Sequence, residues 1–310
     1  MRKLARTVRK AAKSAIRTLP LSPLLKEKIL FAIQMGYWPD FANPNSFCEK
    51  LHRRKLYERD WRLVELSDKI KVRDFVAATI GVDYLVPLRY AGTDLSPELL
   101  LELGDQLVVK KNNDCGSAEV IAENTPEIAK AACTRIAAKL SYGEKTNEWW
   151  YEMISPGYLV EERLIDPEQA NGTPLDYKFF VFNRGNGESS VITEVVRRVN
   201  AQRQECSFFD EEMRPLFMGD QPVRYRGCPG FSDVFPEHDL FEEMKSVALS
   251  LSRGFDFVRV DLYAVEGKVY FGEMTFNPAE GRFRISPAGF DFELGEKWVH
   301  PTPERHSAAA

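Results

Sequence analysis

Residues 258–281 read VRVDLYAVEGKVYFGEMTFNPAEG. Apolar and polar positions alternate from Val258 to Val265, Glu266-Gly267 is a turn pair, and alternation resumes from Lys268 to Phe276. Two such runs around a short turn predict an antiparallel hairpin. Side chains alternate faces along a strand. Arg259, Asp261 and Tyr263 therefore share one face, as do Glu273, Thr275 and Asn277 if the strand runs that far. Pairing gathers two carboxylates, an arginine and an amide or hydroxyl, a set that suits Mg²⁺ bound to phosphate. A solvated hairpin face with a weak surface ion pair would carry the same residues, so the decision rests with the remainder of the chain.

The 310 residues are 44% hydrophobic and 28% charged, an ordinary globular composition long enough for two or three packed units. A net charge of −4 argues against a general nucleic-acid binder. The charge is uneven: residues 1–20 hold Arg2, Lys3, Arg6, Arg9, Lys10, Lys13 and Arg17 and no acid. Leu4, Val8, Ala11, Ala12, Ala15, Ile16 and Leu19 recur there at helical spacing, so residues 1–30 predict a basic amphipathic segment suited to peripheral contact with an anionic membrane. No apolar run approaches the roughly 20 residues that span a bilayer. The cysteines, Cys48, Cys115, Cys133, Cys206 and Cys228, are odd in number and never in a CxxC pair. That pattern fits reduced thiols, and with them a cytoplasmic location, if need be at the inner face of the membrane. His52, His238, His300 and His306 show no ligand spacing, so zinc is not expected.

Helices broken near Gly36, Pro39 and Pro44 are predicted over residues 21–62, then a helix over 68–80 and a short strand over 85–88. Gln106–Lys111 and Ala118–Ile121 read as strands around the loop Asn112-Asn113-Asp114-Cys115-Gly116-Ser117. A helix over 125–138 follows, then strands at Tyr158–Glu162, Asp176–Asn183 and Ser190–Val196, and an amphipathic helix within 235–251. Helices mixed with hairpins indicate an α+β fold rather than a doubly wound sheet. The units expected are 31–104 as a helical region before the core, 105–165 as a small lobe, 166–300 as a large lobe, and 301–310 as a disordered tail.

Three further elements carry chemistry. Lys110 ends an apolar strand before a small polar loop whose amides can close over phosphates; neither GxxxxGK[ST] nor GxGxxG is present. Leu159-Val160-Glu161-Glu162 is an apolar strand ending in acids that can face an adenine edge and a ribose. Asp176 and Lys178 share one face of DYKFFVFN, with Tyr177, Phe179 and Val181 on the other.

The order Asp68-Lys69, Lys110, Glu161-Glu162, Asp176-x-Lys178, Arg259-x-Asp261, Glu273-x-Thr275-x-Asn277 resembles the ATP-grasp superfamily. Asn45–Leu51 (NSFCEKL), Ser67-Asp68-Lys69, Asp176-Tyr177-Lys178 and Tyr270–Phe276 (YFGEMTF) are similar to its TupA-like branch, associated with bacterial surface polysaccharides, over about residues 40–298. The resemblance implies two α+β lobes enclosing ATP, with Mg²⁺ on Asp261, Glu273 and Asn277, Thr275 remaining open as the last ligand. It implies phosphate contacts from Lys69, Lys110, Lys178, Gly116 and Ser117, an adenine and ribose hinge at Glu161 and Glu162, and Arg259 with Lys110 at the reacting phosphoryl group. The activity implied is an ADP-forming carboxylate–amine ligase with an acyl-phosphate intermediate, joining an amine or amino acid to a uronic acid of a surface polysaccharide or its precursor. Arg282 with Arg284, or Arg197, Arg198 and Arg203, are candidates to hold the substrate carboxylate. The alternatives are a sugar or polysaccharide kinase, another transferase using the same site, or a non-catalytic nucleotide-binding protein of polysaccharide assembly.

Overall fold

The computed structural model describes residues 15, 16, 18–116, 118–139, 143, 146–200, 203–231 and 238–299. Most of the expected basic segment 1–20, Ser117 and the expected tail 301–310 lie outside the described residues.

Thirteen strands occur among the described residues: β1 (Leu88–Gly92), β2 (Leu107–Lys111), β3 (Glu119–Ile121), β4 (Tyr158–Glu162), β5 (Asp176–Asn183), β6 (Ser189–Arg198), β7 (Gln204–Phe209), β8 (Phe217–Met218), β9 (Gln221–Pro222), β10 (Arg224–Tyr225), β11 (Phe257–Val265), β12 (Lys268–Thr275) and β13 (Ile285–Ser286). A four-stranded sheet has the order β1-β4-β2-β3 and a five-stranded sheet the order β12-β11-β5-β6-β7. All their pairings are antiparallel. Helices thus alternate with antiparallel sheets, an α+β architecture. The expected strand over 85–88 forms later, at Leu88–Gly92, and the expected helix over 68–80 begins at Val72. Asp68 causes the delay: its Oδ1 accepts from the amide of Ile70 at 2.9 Å and from Asn112 Nδ2 at 3.1 Å, holding a turn where the helix would start.

The small sheet buries Leu107, Val109, Ile121 and Val160 against Leu100 and against Ala129, Ala132 and Ile136 of the helix Pro126–Ala137. Thr125 starts that helix by accepting from the amide of Ile128, with proline in the first turn. Val108 and Lys110 are left on the other face, toward the large sheet.

The large sheet is covered on both sides. Tyr177, Phe179, Val181, Val258, Val260 and Leu262 pack with Phe241, Met244, Val247, Ala248 and Leu251 of the helix His238–Leu251. On the opposite face, Phe180, Phe182, Ile192 and Phe257 pack under Phe31 and Phe47 of the helices Pro23–Met35 and Phe47–Tyr57 and under Trp298. Those apolar residues occupy one end of that face. Farther along the same strands stand Lys178, Glu194, Arg259 and Asp261. One sheet face is therefore part core and part polar floor.

The N-terminal helices are tied down by buried charge. Glu27 Oε1 accepts from Lys55 Nζ at 2.6 Å and Arg282 Nη2 at 2.6 Å, and meets His52 Nε2 at 3.0 Å. Burial alone would raise its pKa; the His52 hydrogen bond, Lys55 and Arg282 outweigh burial and hold it well below the carboxylate range. Arg54 donates to the carbonyls of Phe257 at 2.9 Å and Phe276 at 3.1 Å, which ties together the two strands at the open end of the β11–β12 hairpin. Removing one partner of a buried charged set leaves the others uncompensated, at about 3–5 kcal/mol. Glu27→Gln is therefore expected to lose about that much stability in urea unfolding. A loss within 0.5 kcal/mol, as for ordinary surface changes, would show that the cluster does not hold the helix.

Candidate functional site

The hairpin forms as its pattern predicts, with Arg259 opposite Thr275 and Asp261 opposite Glu273. The register then shifts, so that Leu262 faces Phe271 and Gly272 is the extra residue of a bulge. A Cβ at Gly272 would stand 2.9 Å from the Asp261 carbonyl oxygen. Glycine is what permits the two strands to close at this point.

Arg259 donates from Nε to Asp261 Oδ1 at 2.6 Å and from Nη2 to Asp261 Oδ2 at 2.7 Å. The same Nη2 reaches Glu273 Oε1 at 3.2 Å and Thr275 Oγ1 at 3.1 Å. From β5, Lys178 bridges Asp176 at 2.5 Å and Asp261 at 2.6 Å. Burial would raise Glu273, but Lys69, Arg259 and Lys178 outweigh it and hold that carboxyl at about 2. It is ionised at neutral pH.

These groups floor a cleft of about 430 Å³, within the range of small-molecule sites. Its small-sheet side carries Lys69, Lys110, Cys115 and Gly116, and its far end carries Glu194, Arg198, Gln204 and Tyr225. Lys69 Nζ donates to the Asp114 carbonyl at 2.5 Å and lies 3.9 Å from Glu273 Oε2. Asn112 pins the base of the loop: Oδ1 accepts from Gly157 N at 2.8 Å, and Nδ2 donates to Asp68 Oδ1 at 3.1 Å and the Ser155 carbonyl at 3.0 Å. The Cys115-Gly116 tip is thereby presented to the cleft, with Gly116 at a φ of 72°.

A narrow annex of about 20 Å³ lies between the lobes, beside Lys69, Lys110, Glu161 and Glu273. It has room for about one water molecule. Glu161 is clamped there, accepting from Arg73 at 2.7 Å and Lys110 at 2.6 Å.

Lys69, Lys110, Gly116, Lys178, Arg259, Asp261 and Glu273 are brought to this one cleft. Other sequence-derived candidates stand elsewhere. Glu161 and Glu162 point to opposite faces because they are strand neighbours, and Glu162 pairs with Arg89 at 2.6 Å. Asn277 does not line the cleft; the strand ends at Thr275, and Asn277 is buried toward Glu148, whose carboxyl burial raises to about 8. Thr275 is the residue that stays with the carboxylates, donating to Glu273 Oε1 at 3.1 Å. Arg282 is consumed by Glu27. Arg197 and Arg203 bind Glu205, each at 2.8 Å, which leaves Arg198 of that cluster lining the cleft. Glu194 was missed; its signal is a lone acid amid the buried β6 run, on the Lys178 face.

Among the described residues no three of His, Cys, Asp and Glu converge on a metal position. Two paired carboxylates, Asp261 and Glu273, are a donor set that fits Mg²⁺ carrying its own waters and phosphate oxygens. None of the described helices is long and apolar enough to cross a membrane.

Comparison with known proteins gives the same picture. The profile of the TupA-like ATPgrasp family matches residues 49–299. The fold is similar to D-alanine–D-alanine ligase from Helicobacter pylori, with 14% identity, a TM-score of 0.50, and coverage of 83% of this chain and 70% of that one. D-alanyl-alanine synthetase A from Vibrio cholerae O1 biovar eltor aligns at 12% identity and a TM-score of 0.43, over 76% of this chain and 61% of that one. No curated protein matches the sequence.

Gly272→Ala is expected to cost about 1–3 kcal/mol by overpacking and to part the strands where Asp261 meets Glu273. Thermal melts together with nucleotide titration check this; an unchanged melting temperature would show that the bulge tolerates a methyl group.

Proposed function

Because the chain belongs to the TupA-like ATP-grasp family, we propose that it is an ATP-dependent ligase that activates a carboxylate as an acyl phosphate and joins it to an amine. The observation that carries this reading is the meeting of Lys69 and Lys110 from the small-lobe side with Lys178, Arg259, Asp261 and Glu273 of the large sheet around one cleft. Phosphoryl transfer asks for positioning and charge balance more than for a protein nucleophile. Asp261 and Glu273 would hold Mg²⁺, which would supply positive charge against the polyphosphate. Lys69, Lys110 and the amides of the Cys115-Gly116 tip would grip the polyphosphate. Arg259 and Lys178 would balance charge that grows as a substrate carboxylate oxygen attacks the γ-phosphorus and ADP leaves. The amine then attacks the acyl carbon and phosphate departs.

The annex beside Glu161 admits no purine, so the lobes would part to take in adenine and close again around the reacting groups. Arg198 at the far end can fork onto a carboxylate. A uronic acid of a surface polysaccharide or its precursor is the acceptor that this arrangement and the family resemblance favour, and an amino acid or simple amine is the partner.

Calorimetry with MgATP is expected to give saturable heat, weakened at least about tenfold (roughly 1.4 kcal/mol) in Asp261→Asn. ADP release should rise when uronic acid and amino acid are added together, with an amide product by mass spectrometry. A phosphorylated sugar would identify a kinase instead. Absence of heat with folded protein would sink the nucleotide site itself.

A further inference from the structure

Five carboxylates line the cleft: Asp114, Asp176, Glu194, Asp261 and Glu273. Four accept at least one hydrogen bond from the protein, although Asp176 Oδ1 is buried without one. Asp114 accepts from the Cys115 amide at 2.8 Å, Asp176 from Lys178, Asp261 from Arg259 and Lys178, and Glu273 from Arg259 and Thr275. Glu194 differs: the residue is only 5% exposed, no side chain or amide of the described residues hydrogen-bonds it, and its oxygens open on the cleft.

Its surroundings are specific. Glu194 sits on β6, opposite Lys178 on one side and Phe208 on the other, one strand removed from Asp261. The charged and titratable groups facing it are Asp176 and Lys178 from β5, Arg259 and Asp261 from β11, Cys206 from β7, Tyr225 from β10, and Cys228. Burial pushes its carboxyl up to about 7, against the pull of Lys178 and Arg259 and with the push of Asp176 and Asp261. The two cations nearest along the sheet, Lys178 and Arg259, are committed to Asp176, Asp261 and Glu273, so the donor that fits the opening is one that a ligand brings.

We propose that Glu194 is the amine site of the cleft: it receives the ammonium group of the co-substrate by hydrogen bond and then takes its proton. This rests on the ligase reading above. The proton passes from nitrogen to a Glu194 oxygen and the freed lone pair attacks the acyl-phosphate carbon. The C–N bond forms, the C–O bond to phosphate breaks, and phosphate leaves with that electron pair. The second nitrogen proton leaves with phosphate, and Glu194 returns its own to water.

Methylammonium is the probe, with methanol as its uncharged counterpart, each observed by saturation-transfer NMR on the full chain. Transfer to methylammonium is expected to exceed transfer to methanol and to strengthen from pH 6 to pH 8, as Glu194 ionises while the probe stays charged. Glu194→Gln should abolish the preference, and Glu194→Asp should keep part of it. Between the ordinary glutamate pKa and about 7, folded protein binds the Glu194 proton more tightly than unfolded protein does, so stability falls as pH rises through that window. Glu194→Gln should therefore melt higher than the parent at pH 8 and nearly equally at pH 4. No preference for methylammonium, a preference that survives Glu194→Gln, or a variant that melts lower at pH 8 would each overturn the proposal. MgATP calorimetry on the parent separates the two ideas: heat without methylammonium binding sinks only the role of Glu194, and no heat sinks the ligase reading.

Discussion

Arg259 is the charge around which the cleft is assembled. Its guanidinium is buried and touches Asp261, Glu273 and Thr275 at once. Buried ions are tolerated only when geometry and hydrogen bonding compensate for lost hydration. That compensation depends on Asp261 standing directly opposite Glu273, and this register holds up to the bulge at Gly272. Lys178 then neutralises the remaining side of Asp261 from the adjacent strand. Backbone pairing and charge pairing are thus one arrangement, and neither survives displacement of the other.

The large sheet makes economical use of a single face. Phe180, Phe182, Ile192 and Phe257 disappear under the N-terminal helices, while Lys178, Glu194, Arg259 and Asp261 remain open to the cleft farther along the same strands. The polar floor is rigid because its strands are anchored in a packed aromatic core a few residues away. The helix that supplies Glu27 precedes residues 49–299, where the family profile matches, yet it closes a charge cluster with Arg282 just beyond β12. The helix Pro23–Met35 is therefore part of the same folded body.

Much of this was legible in the sequence because strands obey a period of two. The partnership of Arg259, Asp261 and Glu273 follows from alternation plus a two-residue turn, and Asp176 and Lys178 fall on one face as alternation requires. The bulge at Gly272 lay outside that simple alternation. The same rule set Glu161 and Glu162 on opposite faces. Asn277 was less accessible to pattern reading: it precedes Pro278, and Ala279, Glu280 and Gly281 all have positive φ, so the chain leaves the sheet before Asn277 can join the carboxylates. The Glu27 cluster joins residues up to 255 positions apart, and no local pattern announces such a pairing. Glu194 sits in an apolar run where a strand pattern attends to its neighbours and passes over the single acid.

The grip of Glu161 on both Arg73 and Lys110 has a thermodynamic corollary. On the proposed reading, a polyphosphate recruiting Lys110 would compete with a carboxylate already seated at 2.6 Å. The intrinsic strength of such an encounter is discounted by the fraction of molecules in which that internal anion has let go. Glu161 would then act as a tethered rival, present at high effective concentration, and would set a threshold that weakly charged intruders fail to cross.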